Sequence, residues 1–368
     1  MKVQGLSSPN SIEKNYKRQS SHLIIIVISL ATLSIYMFFQ IGSIQTQFAV
    51  AQQQPSQGNL TLSENQRLLN GVSFQIDKVT FSHHMASVNG IQMHYVIGGH
   101  GDPLILLHGW PQTWYEWHHI MPILAESYTV IAPDLRGLGD SSKPTIGYDG
   151  ATTAEDLYQL VSKLGSNKIF LVAHDIGAQT AFSFAAAHLN NVSKLVIMDY
   201  IFAGFLPPAF GQNGPWWFSF HQTPDLPEVL VQGKERQYLS WFYKELAYNP
   251  EAITQEDIDE FVSHYAAPGG MKAGFEYYRA FPIDAIQNVE IVNKSKLQTP
   301  VLVLAGDYYP TFGGDVPGNP ALEAIKSLAV NVSGSVVPLS GHWIPEEQPK
   351  FVVEQIFKFF RNGTNISK

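Results

Sequence analysis

The chain contains no cysteine, which excludes disulfides, thiolate metal centres and cysteine nucleophiles together. It is also poor in charge, with Asp, Glu, Lys and Arg making up 15% of its 368 residues. Such scarcity suits a largely buried parallel sheet covered by helices, and the 45% hydrophobic share stays below that of a polytopic membrane protein. Basic clusters are missing beyond Arg18, and the net charge is −8. That leaves no electrostatic footprint for nucleic acid. No segment repeats another, and the length suits one large α/β domain carrying an insertion. The absence of cysteine leaves the compartment open, because an exported chain of this size buries enough surface to fold without staples.

One long uncharged run is present. Lys14, Lys17 and Arg18 precede the stretch from Leu23 to Ile41, and Ala49-Val50-Ala51 follows with the small-x-small form of a cleavage site. Residues 1–51 therefore read as an export signal or as an uncleaved membrane anchor, since the run can cross a hydrocarbon core of about 30 Å. Either reading places the globular part outside the cytoplasm. Residues 52–72 read as a polar linker.

From about Ser73 short apolar runs alternate with amphipathic stretches: "IQMHYVIGG", "PLILLHG", a helical "TWYEWHHIMPILAES", "YTVIAPDL", "TAEDLYQLVSKLG", "KIFLVAHD", "AQTAFSFAAAHL" and "KLVIMD". This rhythm predicts an α/β fold with a mostly parallel sheet flanked by helices. It breaks after Tyr200 into aromatic, helix-forming sequence without strand signals and returns at "PVLVLAGD". A core over 73–200 and 289–362 with a helical cap over 201–288 follows. The cap lies over the C-terminal ends of the strands, where such sheets keep their sites.

Four chemical fragments fall at predicted strand ends. In "AHDIG", Asp175 stands between small residues in the spacing of a nucleophile elbow, a strained strand-to-helix turn that lifts one side chain clear of the sheet. In "HGWP", Gly109 lets the backbone pass close beneath that site. The Trp110 amide, with the Ile176 amide after the nucleophile, then faces a developing oxyanion. His342 in "GHW" is the candidate base among 13 histidines, while His108, His174 and His264 read as structural or pocket-lining. Two acids compete to orient His342: Asp199, which ends the strand before the cap, and Asp307, which ends the strand after it. An ionised carboxylate nucleophile suits displacement at an sp³ carbon, because at an acyl carbon it would form a reactive anhydride.

The fragments "HGWPQTWYEW", "PDLRGLGDSSKP", "AHDIGA" and "SGHWIPEEQP" resemble the α/β-hydrolase superfamily in its epoxide hydrolase and haloalkane dehalogenase branch, over roughly Phe74 to Arg361. "WWFSF", "GKER" and "FEYYRAF" are most similar to its secreted bacterial epoxide hydrolases. The resemblance implies an eight-stranded sheet, an aspartyl alkyl-enzyme ester hydrolysed by His342-activated water, and no metal or organic cofactor. It implies a small apolar epoxide as substrate, and it admits a homodimer. It favours Asp199 as the acid; the slot three residues beyond Gly306, which carries the later acid in other hydrolases, is Tyr309. It places an epoxide-oxygen donor on Tyr278, with Tyr277 as its packing neighbour. The second donor, a histidine in those relatives, falls on Trp217, so His221 or another cap tyrosine is an alternative. The residue after the nucleophile is tryptophan in haloalkane dehalogenases and arginine in fluoroacetate dehalogenases, and here it is Ile176. This favours an epoxide over a halide, although Trp110, Trp216 and Trp217 keep a halide site open. A non-catalytic binding protein on the same scaffold is the remaining alternative.

Overall fold

The computed structural model describes residues 69–206, 214–309, 314–315 and 320–361. The expected export segment and most of the expected linker lie outside these residues. Among the described residues, no helix is long and apolar enough to cross a membrane.

Strands β1 (Ser73–Ile76), β2 (Val79–Val88), β3 (Ile91–Gly99), β4 (Asp102–Leu107), β5 (Tyr128–Pro133), β6 (Ile169–His174), β7 (Val192–Met198), β8 (Val301–Gly306) and β11 (Val332–Val337) form one sheet. Two further short strands, β9 (Tyr308–Tyr309) and β10 (Gly314–Asp315), form a separate hairpin. The sheet order is β1-β2-β3-β5-β4-β6-β7-β8-β11, antiparallel as far as β5 and parallel from β5 onward. It holds nine strands where eight were expected. The extra one, β1, is a four-residue edge strand whose residues alternate between exposed and half-buried, so it carries no apolar run to mark it in the sequence. The central strands β6 and β8 are buried throughout, because helices cover both faces. Each fully buried Leu, Ile or Val there contributes about 1.5–3 kcal/mol of transfer free energy.

Three local features position the site. The helix Ile176–Ala187 starts directly after β6 and presses against β4, where a Cβ on Gly177 would come within 2.5 Å of the Leu107 carbonyl oxygen. The expected helix over "TWYEWHHIMPILAES" instead divides into a 3₁₀ turn, Trp114–Trp117, and a short helix, Met121–Ala125. Pro122 explains the break, since proline suits a helix's first turn and lacks the N–H that an interior position needs. The cap contributes helices Trp216–Gln222, Leu226–Val231, Glu235–Glu245, Gln255–Tyr265 and Gly270–Lys294.

The last of these passes through the boundary expected at 288. Its far end belongs to the core, where Asn288 Nδ2 donates to Gln179 Oε1 at 3.0 Å and Asp284 accepts from the Gly150 amide at 2.7 Å. One continuous helix thus serves cap and core and offers no compositional break to read. Cap hydroxyls fasten onto the loop after β4: Tyr243 donates to the Pro111 carbonyl at 2.6 Å and Tyr265 to the Gln112 carbonyl at 3.0 Å.

Candidate active site

Asp175 sits at φ 45° and ψ −129°, a conformation that costs a non-glycine residue of order 1–3 kcal/mol and is held by the strand behind it and the helix ahead. The elbow aims its carboxylate across the loop after β4. Gly109 passes so close beneath that an added Cβ would meet Asp175 Cβ at 2.6 Å. The Trp110 amide donates to Asp175 Oδ1 at 2.9 Å. Ile176 opens the following helix, so its amide has no acceptor within that helix and adds to the helix's positive end.

His342 Nε2 lies 3.7 Å from Asp175 Oδ2. Its Nδ1 is 2.6 Å from Asp199 Oδ2, and because a carboxylate only accepts, Nδ1 carries the hydrogen and Nε2 points its lone pair toward the nucleophile. Asp199 has φ 43°, so the chain turns sharply after β7 as it does after β6. Asp307 is used differently: its carboxylate accepts the amides of Leu339 and Ser340 at 3.1 and 3.2 Å and closes the turn after β11. The structure therefore brings Asp175, His342 and Asp199 together and leaves Asp307 holding a turn.

Over this group lies an aromatic ceiling from the cap. The Tyr278 ring stands 5.4 Å from that of Trp110 and 4.4 Å from that of His221. Burial, reinforced by the Asp175 charge, pushes the Tyr278 hydroxyl well above its usual range, so it stays protonated and able to donate. Tyr277 faces the other way, its hydroxyl donating to the Arg136 carbonyl at 2.9 Å, and is a packing residue.

The buried Trp217 packs on Trp241 and Phe242. Trp216 is 52% exposed and rests on Trp241 and Phe220. His221 lies against Tyr278 and Trp110. Burial and then the Arg279 charge hold its imidazole far below the ordinary range, so it is neutral. Its Nε2 is 2.6 Å from the Tyr238 hydroxyl, while its Nδ1 is buried without a protein partner.

A polar group missed in the sequence lies beneath the nucleophile. Glu116 accepts the Gly109 amide at 2.7 Å through Oε2 and places Oε1 3.1 Å from His174 Nδ1. His174 Nε2 is 2.9 Å from the His342 carbonyl oxygen. Burial opposes the His174 charge, yet Glu116 prevails and raises the imidazole to about 9. Glu346, which Gln112 Nε2 contacts, is pushed well above its range by burial and by the Glu116 charge. One charged pair thus ties the oxyanion loop, the elbow and the base loop together. His108 braces the same loop, donating to the Gly109 carbonyl at 2.8 Å and accepting the Leu135 amide at 3.1 Å. The only sequence signal for Glu116 was its place in "HGWPQTWYEW", where nothing distinguishes it from a surface acid. Two groups that could hold a metal, His118/His119/Asp257 and His94/Asp134/Asp140, occur among the described residues, and neither contains a residue of this site.

A carboxylate on a strained elbow beneath two cap donors is what nucleophilic opening of a small ring requires. A family model described as alpha/beta hydrolase fold matches residues 102–349. The soluble epoxide hydrolase of Corynebacterium sp. (strain C12) is 41% identical over 290 residues, covering 76% of this chain and 97% of that protein. The crystal structure of Cfl2 from Burkholderia cenocepacia superposes with a TM-score of 0.72 at 35% identity, covering 79% of this chain and all of the other. That of the Cif epoxide hydrolase from Acinetobacter nosocomialis gives 0.70 at 26% identity, over 82% and 98% of the two chains. This chain accordingly belongs to the α/β-hydrolase family and, within it, to the epoxide hydrolases.

Proposed function

We propose that the enzyme converts apolar epoxides to vicinal diols with the addition of one water. The carrying observation is the convergence of Tyr278 and His221 over the elbow carboxylate. Asp175 Oδ2, the oxygen free of the Trp110 amide, attacks an epoxide carbon in line. The C–O bond breaks as the ring oxygen takes the Tyr278 proton, while His221 Nδ1–H, in the tautomer that accepts from Tyr238, donates a second hydrogen bond. An alkyl ester of Asp175 results. His342 Nε2 then removes a proton from water, the hydroxide adds to the ester carbonyl carbon, and the oxyanion on Oδ1 is held by the Trp110 and Ile176 amides. Collapse expels the diol alkoxide, which takes the proton from His342, and leaves Asp175 as a carboxylic acid; the proton that Asp175 then releases balances the one that restores the Tyr278 hydroxyl.

Dehalogenation keeps one observation in its favour, the buried Trp110 Nε1–H without a protein partner. The other two indoles that could complete a halide site pack on Trp241 and Phe242, and the Ile176 side chain offers a halide no grip. A panel of epoxides, haloalkanes and haloacetates, with diol and halide both quantified, tests the reading. Diol formation abolished in Asp175→Ala is expected, and halide release without diol formation would overturn it.

We further propose that the catalytic domain works outside the cytoplasm, delivered or anchored by residues 1–51. The cationic flank, the Leu23–Ile41 run and Ala49-Val50-Ala51 support this. N-terminal sequencing of the protein from fractionated cells separates a cleaved chain beginning after Ala51 from an intact membrane-bound one. Recovery of the full chain in the cytosol would overturn both forms of the proposal.

A further inference from the structure

His118 and His119 follow the 3₁₀ turn on the core, and Asp257 lies in the first turn of the cap helix Gln255–Tyr265. His118 Nδ1 is 2.7 Å from the Tyr115 carbonyl, an acceptor only, so Nδ1 carries the hydrogen and Nε2 is left with a lone pair. The ring is stacked on Tyr115 at 4.2 Å, which fixes the direction of that lone pair. Nε2 faces Asp257 Oδ1 at 3.5 Å. The other Asp257 oxygen, Oδ2, is already engaged by the amide and hydroxyl of Thr254, each at 2.8 Å, so Oδ1 is aimed rather than loose. The exposed His119 ring lies 3.8 Å from that of His118, and one ligand atom from each of the three residues falls within 4.8 Å of the others.

His118 Nε2 and Asp257 Oδ1 thus face each other at a separation longer than an ordinary N–H···O hydrogen bond, an arrangement in which a cation between them would engage both. A tetrahedral ion with bonds of about 2.0–2.2 Å holds its ligands roughly 3.3–3.5 Å apart, close to the observed His118–Asp257 separation. Two imidazoles and one carboxylate favour zinc-like transition ions over magnesium or calcium, which demand more oxygen donors. The Nδ1–H bond to Tyr115 is the outer contact that metal-bound histidines use to hold their tautomer.

We propose that His118 Nε2, the His119 imidazole and Asp257 Oδ1 bind one divalent transition-metal ion of the zinc class, clamping the cap helix to the core at a point outside the catalytic machinery. The fourth position is open to solvent beside the exposed His119. An ion held only when the cap is seated stabilises the folded chain by mass action.

The test uses tag-free, chelator-stripped protein titrated near neutral pH with zinc chloride in a calorimeter. Wild type is expected to bind one ion per chain, and His119→Ala to bind at least about ten-fold more weakly. Because His119 is exposed, its removal leaves the fold intact, and circular dichroism verifies this. Zinc should raise the thermal midpoint of wild type and not that of His119→Ala, while magnesium should move neither. Failure of wild type to bind zinc, or equal binding by wild type and His119→Ala, would overturn the proposal, the latter by placing the ion on other histidines.

Discussion

Asp199→Asn and Asp307→Asn, made side by side, test how the base is oriented and when it acts. Asp199 touches His342 through a 2.6 Å contact, with side chains only 8% and 13% exposed. During ester hydrolysis His342 becomes an imidazolium, and a carboxylate whose charge centre is about 4 Å away stabilises it by about 4 kcal/mol at an effective dielectric constant of 20. Asparagine keeps the shape and loses the charge. Since each 1.36 kcal/mol is a factor of ten, ester hydrolysis should slow by about two to three powers of ten. The alkylation step should survive, because attack by Asp175 does not use the base. Asp307→Asn keeps one acceptor oxygen and takes the other from one of the two backbone amides it serves, so it should cost about 1 kcal/mol of stability with turnover nearly unchanged. Single-turnover mixing with an aryl epoxide, quenched for intact-protein mass spectrometry, reads both steps. Asp199→Asn should accumulate protein heavier by one epoxide, and Asp307→Asn should not. The reasoning is refuted if Asp199→Asn hydrolyses its ester at the wild-type rate, or if Asp307→Asn is the variant that stalls.

Three further outcomes follow from the geometry. His221→Phe should lower kcat/KM for epoxides by about ten- to a hundredfold, the range for one lost transition-state hydrogen bond, whereas Trp217→Phe should act mainly on stability; equal kinetic losses would return Trp217 to the site. Gly109→Ala drives a methyl group to 2.6 Å from Asp175 Cβ, so a stability loss of about 1–3 kcal/mol and a collapse of ester formation are expected in burst experiments, and a fully active variant would show the loop to be pliable. The His174 charge is favoured in the folded chain, with its pKa raised from 6.5 to about 9. Its contribution is complete below the unfolded value and lost as pH rises through the folded one, a change of roughly 3 kcal/mol at 1.36 kcal/mol per unit. The wild-type thermal midpoint should therefore fall between those pH values, and His174→Asn should flatten that fall; parallel profiles would refute the assignment.

The fold class, the sharp turn at Asp175, the close pass of Gly109 and the strand-end placing of Asp199 were legible in the sequence because each is encoded locally. Small residues around Asp175 permit a turn that only a short stretch of chain decides, and continuous apolar runs announce a buried parallel sheet wherever they pair. Choices between equivalent local patterns needed the tertiary structure. Asp199 and Asp307 both end apolar strands that lie side by side in the sheet, and only the path of the loop after β11 brings His342 to the first and the amides of Leu339 and Ser340 to the second. Tyr277 and Tyr278 are adjacent in sequence, yet successive residues on a helix point about 100° apart, so one hydroxyl reaches Arg136 while the other ring overhangs the site. Trp217 and His221 share one short helix, and its docking against Phe242 and Tyr278 settles which of them meets Trp110. The Glu116–His174 pair left no sequence signal, because a buried ion pair is a property of two segments that meet only after folding. What the sequence determined by itself was the chemistry that one turn or one strand end can carry; which side chains face one another across segments far apart in the chain was decided by packing alone.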